Sequence, residues 1–512
     1  MTLPAATSAP RAAPLTLGMP LLSGTLGAVA AFLIVWPTLV LGRAALGAAP
    51  ALDVTSVAAT LGRTLAVAAS STVLAVTLGA LVAWTLARTT LPARAAASRL
   101  VRLPLVAPPF AAALALRLAV PGADGFGAIV VAQTLSFVPW ACLTVAGALA
   151  ASDEAQEDVA ESLGAGRWQI LTRVTLPRLR AALRAAAGSV FVLAAADVAT
   201  PLLVGGGYDV LSTDVLRRTL AGDFTGAAAL ALLLIAPCFL IDPRPPLIGS
   251  SLRSRPPHRP TPTAVAAPLA LVTATLAAAL GVMAMLVVLG SLVAEWGRDW
   301  SPSLVHWRAA LAGPSLEASL GLAVVVGAVT AILATAIAWA GGSRSRPHAS
   351  LAERFALFAG AFPGIALGLG DRLAFGAVPV AVIVAVVTWR LPLALTSASV
   401  IVPRMRGPQD AAVIHGAGLV RRFRRIVAPA LAPAAAIAFF EGFAGALLAV
   451  GVVLPLAPAA AWLAAPQALD AAAAGRAGGT GVACALVTAL SVIVIAAVAL
   501  RARAARPVGD VP

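Results

Sequence analysis

The sequence has 512 residues, of which 60% are hydrophobic and only 11% are charged. Soluble domains usually have about a quarter charged residues, so a chain this apolar is interpreted as a series of membrane spans. The net charge is +15, and every basic residue is arginine. Because the arginines do not cluster on a polar domain, the composition argues against nucleic-acid binding and favours the loops of a membrane protein embedded in a lipid bilayer.

The first half of the chain contains six apolar segments long enough to cross a bilayer, which takes about 20 residues. The first segment is longer than the core of a signal peptide, so we expect it to be retained as a span. The six lie near residues 18–42, 58–86, 100–120, 127–150, 184–205 and 224–242.

The second half contains six more apolar segments, and a Pro- and Arg-rich stretch predicts a linker between the halves. The segments lie near residues 264–293, 316–341, 353–375, 378–402, 433–456 and 480–500. We therefore predict an all-α polytopic membrane protein of about twelve transmembrane helices. The predicted parts are an N-terminal tail (1–17), a first half (18–242), a linker (243–262), a second half (263–502) and a C-terminal tail (503–512).

Arginines are concentrated in alternate loops, which predicts the orientation of the chain. If the N-terminus lies inside, the cytoplasmic loops contain the arginine groups within 88–102, 167–184, 404–425 and 501–506. The opposite loops are poorer in arginine and richer in acid. By the positive-inside rule, both termini and the linker are predicted to be cytoplasmic.

The two halves also share residues at a nearly constant separation, which predicts an internal duplication. Each half has six spans, so the repeats should be parallel and related by an axis along the membrane normal. The matching residues are Trp84 and Trp339, Pro108 and Pro363, Pro139 and Pro392, Gly164 and Gly416, and Pro177 and Pro429, at offsets between 252 and 255.

One loop of each half carries a repeated motif. An acidic residue is followed two residues later by Ala, six residues later by Gly, and then by Pro thirteen residues beyond the Gly. The Gly can adopt the left-handed conformation that ends a helix, and the Pro suits the first turn of the next helix. Between them, Ala165 to Thr172 is amphipathic and includes Trp168. Such a short exposed helix is suited to fill a groove on a partner.

This spacing resembles the EAA loop of ABC-importer permeases. The resemblance implies that the loops couple the spans to two copies of an ATPase subunit, which hold the ATP and Mg, and that a periplasmic substrate-binding protein delivers the solute. In this chain the loop positions are Asp158, Ala160, Gly164, Trp168 and Pro177, and Asp410, Ala412, Gly416 and Pro429. The departures are Asp158 and Val159 where the family has Glu and Ala, Asp410 where it has Glu, and Ala428 where Leu is usual. The chain has no Lys, so it carries no P-loop and no cofactor of its own.

Two loops in one chain resemble the fused permeases for ferric iron, thiamine and aminoethylphosphonate. Further segments resemble span signatures of iron-type permeases and provide candidates for the lining of the pathway. These candidates are Asp197, Pro201, Gly205, Gly206, Pro363, Gly364 and Glu441. Ionisable residues in spans usually face a bundle interior or a cavity. Pro108, Pro139, Pro363 and Pro392 predict kinks, and Asp371 with Arg372 predicts a solvated pair at a membrane boundary.

The expected function is therefore that of an inner-membrane permease subunit without catalytic residues or a metal site. Its three cysteines and four histidines show no ligand spacing. Ferric iron is the first expected solute, followed by 2-aminoethylphosphonate, thiamine or polyamine. Two alternatives remain: an ion-coupled secondary transporter with parallel six-helix repeats, and a membrane-embedded enzyme, which would need a cluster of His, Asp or Glu.

Overall fold

The computed structural model describes most of the chain between the two tails. The predicted tails, the linker and nearly all of the last predicted span lie outside the described residues. The described residues are 18–47, 53–89, 94–105, 107–108, 110–151, 155–240, 263–341, 347–399, 402–476, 478–482, 484 and 486. Over these residues the protein is helical apart from one hairpin, as expected for an all-α polytopic membrane protein.

The first half consists of long apolar helices joined by short ones. Its helices are α1 (Gly18–Ala45), α2 (Val54–Arg88), α3 (Arg94–Arg102), α4 (Ala111–Ala119), α5 (Gly125–Ala151), α6 (Ala155–Ser162), α7 (Arg167–Ile170), α8 (Leu176–Ala196), α9 (Ala199–Val204), α10 (Leu211–Leu220) and α11 (Phe224–Leu240).

The second half repeats this order and adds a two-stranded antiparallel hairpin. Its elements are α12 (Thr263–Leu292), β1 (Val293–Glu295), β2 (Asp299–Pro302), α13 (Val305–Ala312), α14 (Pro314–Gly341), α15 (Pro347–Phe358), α16 (Gly364–Phe375), α17 (Pro379–Ser399), α18 (Val402–Ile414), α19 (Leu419–Arg422), α20 (Ala428–Leu448), a 3-10 turn (Leu454–Leu456) and α21 (Ala464–Ala473).

Among the described residues, eight helices are long and apolar enough to cross a membrane, or nine if one bent pair counts as a span. The bent pair is α15 and α16, which meet at 112°. Pro363 lies at this bend, as the sequence predicted. Pro139 and Pro392 lie inside continuous helices instead, because the remaining hydrogen bonds of a long, packed helix can carry it past one missing N–H.

Three predicted spans are interrupted. The segment 100–120 divides into α3 and α4, because Pro104 and Pro108 cannot donate helical hydrogen bonds. The segment 184–205 breaks at Asp197, between α8 and α9. The segment 433–456 breaks after Leu448, beyond which only a 3-10 turn forms. Apolar composition alone predicts length in the membrane, and it does not show these internal breaks.

Each half has a core of three helices, and the first helix of each half packs on the other half. Helices α2, α5 and α8 pack together, as do α14, α17 and α20. Helix α1 packs against α14, α15, α16 and α17 of the second half and also against α11 of the first, whereas α12 packs against α2, α3 and α4. The two halves therefore exchange their first helices.

The helix α1 also shows which ends of the two halves coincide. A Cβ on Gly27, near the start of α1, would lie 3.8 Å from Ala352 on α15, and one on Gly47, just beyond its end, would lie 3.5 Å from Thr225 on α11. Helix α15 therefore begins at the end of the bundle where α1 begins, and α11 begins at the opposite end. Because successive spans alternate in direction, α5 and α17 both finish at the end where α1 begins, so the loops that follow them lie at the same end of the bundle. Both motif loops thus face one side of the membrane.

Candidate functional site: paired loops and broken spans

The two motif loops follow the same backbone path. We call residues 155–177 loop segment 1 and residues 402–429 loop segment 2. In loop segment 1, Gly164 has φ +83° and α7 continues into a π-helical turn over Leu171–Thr175. In loop segment 2, Gly416 has φ +70° and α19 continues into a π-helical turn over Phe423–Val427. The left-handed glycines are those that the spacing predicted.

The alanines of the motif accept the hydrogen bond that closes each helix end. The amide of Ala165 donates to Ala160 (3.0 Å), and the amide of Ala417 donates to Ala412 (2.9 Å). This six-residue bond is typical of a helix terminated by a left-handed glycine. Pro177 and Pro429 lie in the first turn of α8 and α20. The remaining motif residues are the half-buried Asp158 and the exposed Asp410.

Both segments expose large apolar side chains at the end of the bundle. In loop segment 1 these are Val159, Leu163 and Trp168, and Trp168 is 74% exposed. In loop segment 2 they are Ile414, Val420 and Phe423. Val420 stands at the offset of 252 from Trp168, so an apolar residue occupies the same place in both segments. What these residues do stays a prediction.

A buried ion pair fixes loop segment 1, and the sequence did not reveal it. The guanidinium of Arg88, at the end of α2, donates two hydrogen bonds to the Glu157 carboxylate, at 3.0 and 3.1 Å. The hydroxyl of Thr175 donates to the same carboxylate at 2.9 Å. The ring of Trp84 lies 5.8 Å from the guanidinium carbon. Glu157 immediately precedes the motif acid and is not itself a position of the motif.

Loop segment 2 has a neutral contact at the same place. The indole of Trp339 donates to the Gln409 side chain at 3.3 Å, and its ring packs 5.1 Å from that of Phe423. Gln409 stands at the offset of 252 from Glu157, and the buried Val427 replaces Thr175. The two segments therefore share a backbone path and differ in the side chains that fix it.

Asp197, a candidate for the pathway lining, serves as a helix cap in this structure. One carboxylate oxygen accepts from the backbone N–H groups of Ala199 (3.1 Å) and Thr200 (3.2 Å). The other accepts from the amide of Gln133 at 3.1 Å, which in turn accepts from the Ser71 hydroxyl at 2.9 Å. The carboxylate is buried and satisfied, so it stabilises the break between α8 and α9.

The other candidates lie close to backbone. Pro201 and Gly205 are buried, and Gly206 is exposed with φ +54°. A side chain at Gly206 would collide with Asp124. Pro363 and Gly364 are buried where α16 begins, and a Cβ on Gly364 would lie 3.5 Å from the Val452 amide.

Two arginines at corresponding positions hold the broken fifth spans. Arg117, in α4, donates to the carbonyl of Leu203 at 3.3 Å. Arg372, in α16, donates to the carbonyl of Pro455 at 2.7 Å. The arginines are 255 residues apart and the carbonyls 252, the offsets of the other repeated pairs. A search at these offsets could have found this contact, which satisfies carbonyls that a helix break would otherwise leave free.

The prediction that Asp371 and Arg372 form a solvated pair is wrong. Asp371 is 1% exposed, and neither of its carboxylate oxygens has a hydrogen-bond partner. The Arg372 guanidinium instead lies 4.8 Å from the Phe224 ring and contacts Pro455. The first two turns of α16, from Gly364 to Asp371, are buried, because this helix packs between several neighbouring helices rather than ending at water.

Glu441, the remaining candidate, faces Arg390 across α17 and α20. Both side chains are partly exposed. The Arg390 guanidinium lies 4.0 Å from the Trp389 ring, and its stem crosses Gly445, where a side chain would collide with it. The described residues contain no group of three or more His, Cys, Asp or Glu arranged to hold a metal ion.

The fold and site define a class: a multi-pass inner-membrane protein built from repeated helix bundles. Residues 75–242 match the family described as binding-protein-dependent transport system inner membrane component. This stretch contains α5, loop segment 1 and the broken fifth span of the first half.

Three relatives that this chain resembles are described as permease proteins of transport systems. The chain is 25% identical to ferric transport system permease protein FbpB of Actinobacillus pleuropneumoniae, over 65% of this chain and 52% of the relative. It is 33% identical to putative ferric transport system permease protein FbpB 1 of Haemophilus influenzae, over 22% and 18%. It is 28% identical to sulfate transport system permease protein CysT of Escherichia coli, over 32% and 66%. The chain thus spans about half the length of the first relative.

Proposed function

We propose that the chain is the membrane-spanning permease subunit of an ABC importer. The observation that carries this proposal is the pair of loop segments at one end of the bundle, with the same left-handed glycine, short helix and π-helical turn. Each exposes apolar side chains outside the spans, which suits docking in a groove. Two equivalent sites in one chain imply two ATPase subunits, and ATP with Mg belongs to those subunits.

Coupling follows from how the segments join the spans. Each π-helical turn runs directly into α8 or α20, so displacement of a loop segment passes to the broken fifth span without a flexible joint. ATP binding must therefore stabilise one access state through contacts that differ between states. In this proposal, the loop segments face the cytoplasm, both termini are cytoplasmic, and a periplasmic binding protein docks at the opposite end.

The proposed solute is ferric iron, as in the names of two relatives. Sulfate, from the third relative's name, is a candidate, and 2-aminoethylphosphonate, thiamine and polyamine follow from the resemblance of the fused loops. In the structure, Asp197 is committed to capping α9, so it does not support a direct contact with the solute. The delivering protein would then determine most of the selectivity.

The test is co-purification in detergent with a candidate ABC ATPase, comparing wild type with the double variant Gly164→Asp, Gly416→Asp. Aspartate tolerates a left-handed backbone, but it places a charge beside the apolar docking face. Wild type should retain the ATPase and the double variant should lose it. If wild type retains none, and proteoliposomes of this chain alone move solute down an ion gradient, the chain is a secondary transporter.

The matched control is the double variant Gly222→Asp, Gly376→Asp. These glycines are also left-handed, at φ +83° and +82°, with open space around them. They lie at the opposite end of the bundle, one in each half. This variant should retain the ATPase, and loss of binding in both double variants would contradict a specific role for the loop segments.

A further inference from the structure

A segment of the second half has no counterpart of similar size in the first. Helices α1 and α2 are joined by residues 46–53, whereas α12 and α14 are joined by residues 293–313. We call residues 293–313 the hairpin segment; it comprises β1, β2 and α13. Trp296 donates to the carbonyl of Leu118, at the end of α4, which places the segment at the end of the bundle opposite the loop segments.

One side of the hairpin segment is fixed to the bundle. The indole of Trp296 donates to Leu118 at 3.3 Å, and that of Trp307 donates to the Ser291 hydroxyl at 3.2 Å. The imidazole of His306 hydrogen-bonds the carbonyl of Ala294 at 3.1 Å and lies against Gly478. The contacts with Leu118, Ser291 and Gly478 thus hold the segment against the bundle, and the bond from His306 to Ala294 ties α13 to β1.

The other side exposes large apolar residues. Trp300 is 61% exposed, and its ring packs at a tilt of 56° against that of Trp296, with ring centroids 4.9 Å apart. Leu304, Val305 and Leu311 are each more than half exposed. No residue of α13 is buried. A fixed segment that exposes this much apolar surface requires a partner that covers it.

The position of the segment identifies the partner. It joins α12 and α14, whose outward faces expose apolar side chains along their length, among them Met285 and Leu289 on α12 and Val324 on α14. In a membrane protein such faces contact lipid. The hairpin segment begins directly after α12 and leads into α14, so its exposed apolar side chains lie at the level where α12 ends and α14 begins.

The charge of the segment agrees with a membrane partner. Its acidic and basic residues, Glu295, Arg298, Asp299 and Arg308, cancel, so it has no net charge to attract a soluble partner. Away from the hairpin segment, the middle of this end of the bundle is occupied by α21, which packs against α9 and α20. A soluble protein that delivers solute to the broken fifth spans would dock there rather than at the edge.

We propose that the hairpin segment lies in the lipid headgroup region, with Trp300, Leu304 and Leu311 inserted at the boundary with the acyl chains. Tryptophan is favoured at this level because its ring is apolar and its N–H is polar. A short helix that exposes apolar side chains beside an arginine is suited to lie in the plane of the interface. The segment thereby fixes the height of α12 and α14 in the bilayer, on one half of the molecule only.

The test measures the depth of single labelled cysteines in vesicles of phosphatidylcholine and phosphatidylglycerol. Trp300→Cys and Leu304→Cys are labelled with an environment-sensitive fluorophore. Quenching is then compared for nitroxides on the lipid headgroup, near the acyl carbonyl and near the middle of the acyl chain. Cys142, Cys238 and Cys484 are buried, so the unsubstituted chain provides the labelling background.

The matched control is Asp470→Cys on α21, an exposed residue in the middle of this end of the bundle. The headgroup or carbonyl nitroxide should quench both hairpin labels at least about twofold more than the control, and iodide in the water at least about twofold less. The proposal is overturned if the labels match the control, because the face is then open to a soluble partner. It is also overturned if the mid-chain nitroxide quenches most strongly.

Discussion

Loop segments 1 and 2 have the same backbone geometry and different internal chemistry. In the first, a buried guanidinium, carboxylate and hydroxyl (Arg88, Glu157 and Thr175) hold the helices together. In the second, the corresponding positions contain Gln409 and Val427, and an indole supplies the contact. The duplicated feature is therefore the path of the backbone, and each copy is stabilised by its own side chains.

The fifth spans show the same difference within the membrane. The polar chain of Ser71, Gln133 and Asp197 supports the break in the first half. At offsets of 255, 253 and 252, the second half has Val326, Val386 and Ala449, all buried. In contrast, the Arg-to-carbonyl contact is present in both halves. A break needs its free carbonyls satisfied in each copy, whereas the carboxylate cap serves only one.

The largest expected effect is on the ion pair. Glu157→Ala removes both hydrogen bonds of the ion pair with the buried Arg88 guanidinium and should lower the free energy of unfolding by about 3 kcal/mol. Gln409→Ala removes only a neutral hydrogen bond and should cost about 1 kcal/mol. Unfolding by sodium dodecyl sulfate in mixed micelles measures both. Equal losses would show that the two loop segments are held with the same strength.

The next effect concerns the cap at the first broken span. Asp197→Ala removes two backbone hydrogen bonds at the start of α9 and the partner of Gln133, and should destabilise the chain by about 1–2 kcal/mol. The same titration measures it. As the reciprocal change, Ala449→Asp adds an unpartnered carboxylate at the corresponding buried position. That variant should also destabilise the chain, and a stabilising result would mean that the second break accepts the same cap.

A stabilising change is expected at Asp371. Its buried carboxylate has no partner, and the residue at the offset of 255 in the first half is Leu116. Asp371→Leu should therefore leave the free energy of unfolding unchanged or raise it by about 1 kcal/mol. The thermal midpoint in detergent provides the measurement. If the variant clearly loses stability while its substrate uptake stays at the wild-type level, the Asp371 carboxylate has a stabilising partner in the folded protein.

The smallest difference in stability is expected between variants of the two left-handed glycines of the loop segments. Gly164→Ala and Gly416→Ala meet no neighbouring atoms within 4 Å, so only backbone strain opposes them, at about 1 kcal/mol each. Hydrogen exchange over residues 155–177 and 402–429 should rise by similar factors. A much larger rise in one segment would contradict the shared backbone path.

The sequence predicts the parts of this protein that depend on periodic or local rules. Long apolar runs predicted the spans, and the Gly-to-Pro spacing predicted the left-handed turns at Gly164 and Gly416. The ion pair of Glu157 and the burial of Asp371 were not predictable, because each depends on which helices become neighbours. The breaks near Asp197 and Leu448 were not predicted either. Hydropathy is averaged over a window of residues, so it does not show where backbone carbonyls find a hydrogen-bond donor outside the helix.

The exchanged first helices make the two halves hard to separate. Since α1 packs within the second half and α12 within the first, a cut between Leu240 and Thr263 would leave each fragment with a helix buried against the other. The fragments should therefore remain together in mild detergent after cleavage of the peptide bond. Covalent fusion would then contribute mainly by delivering the two halves at equal amounts and in a fixed pairing during membrane insertion.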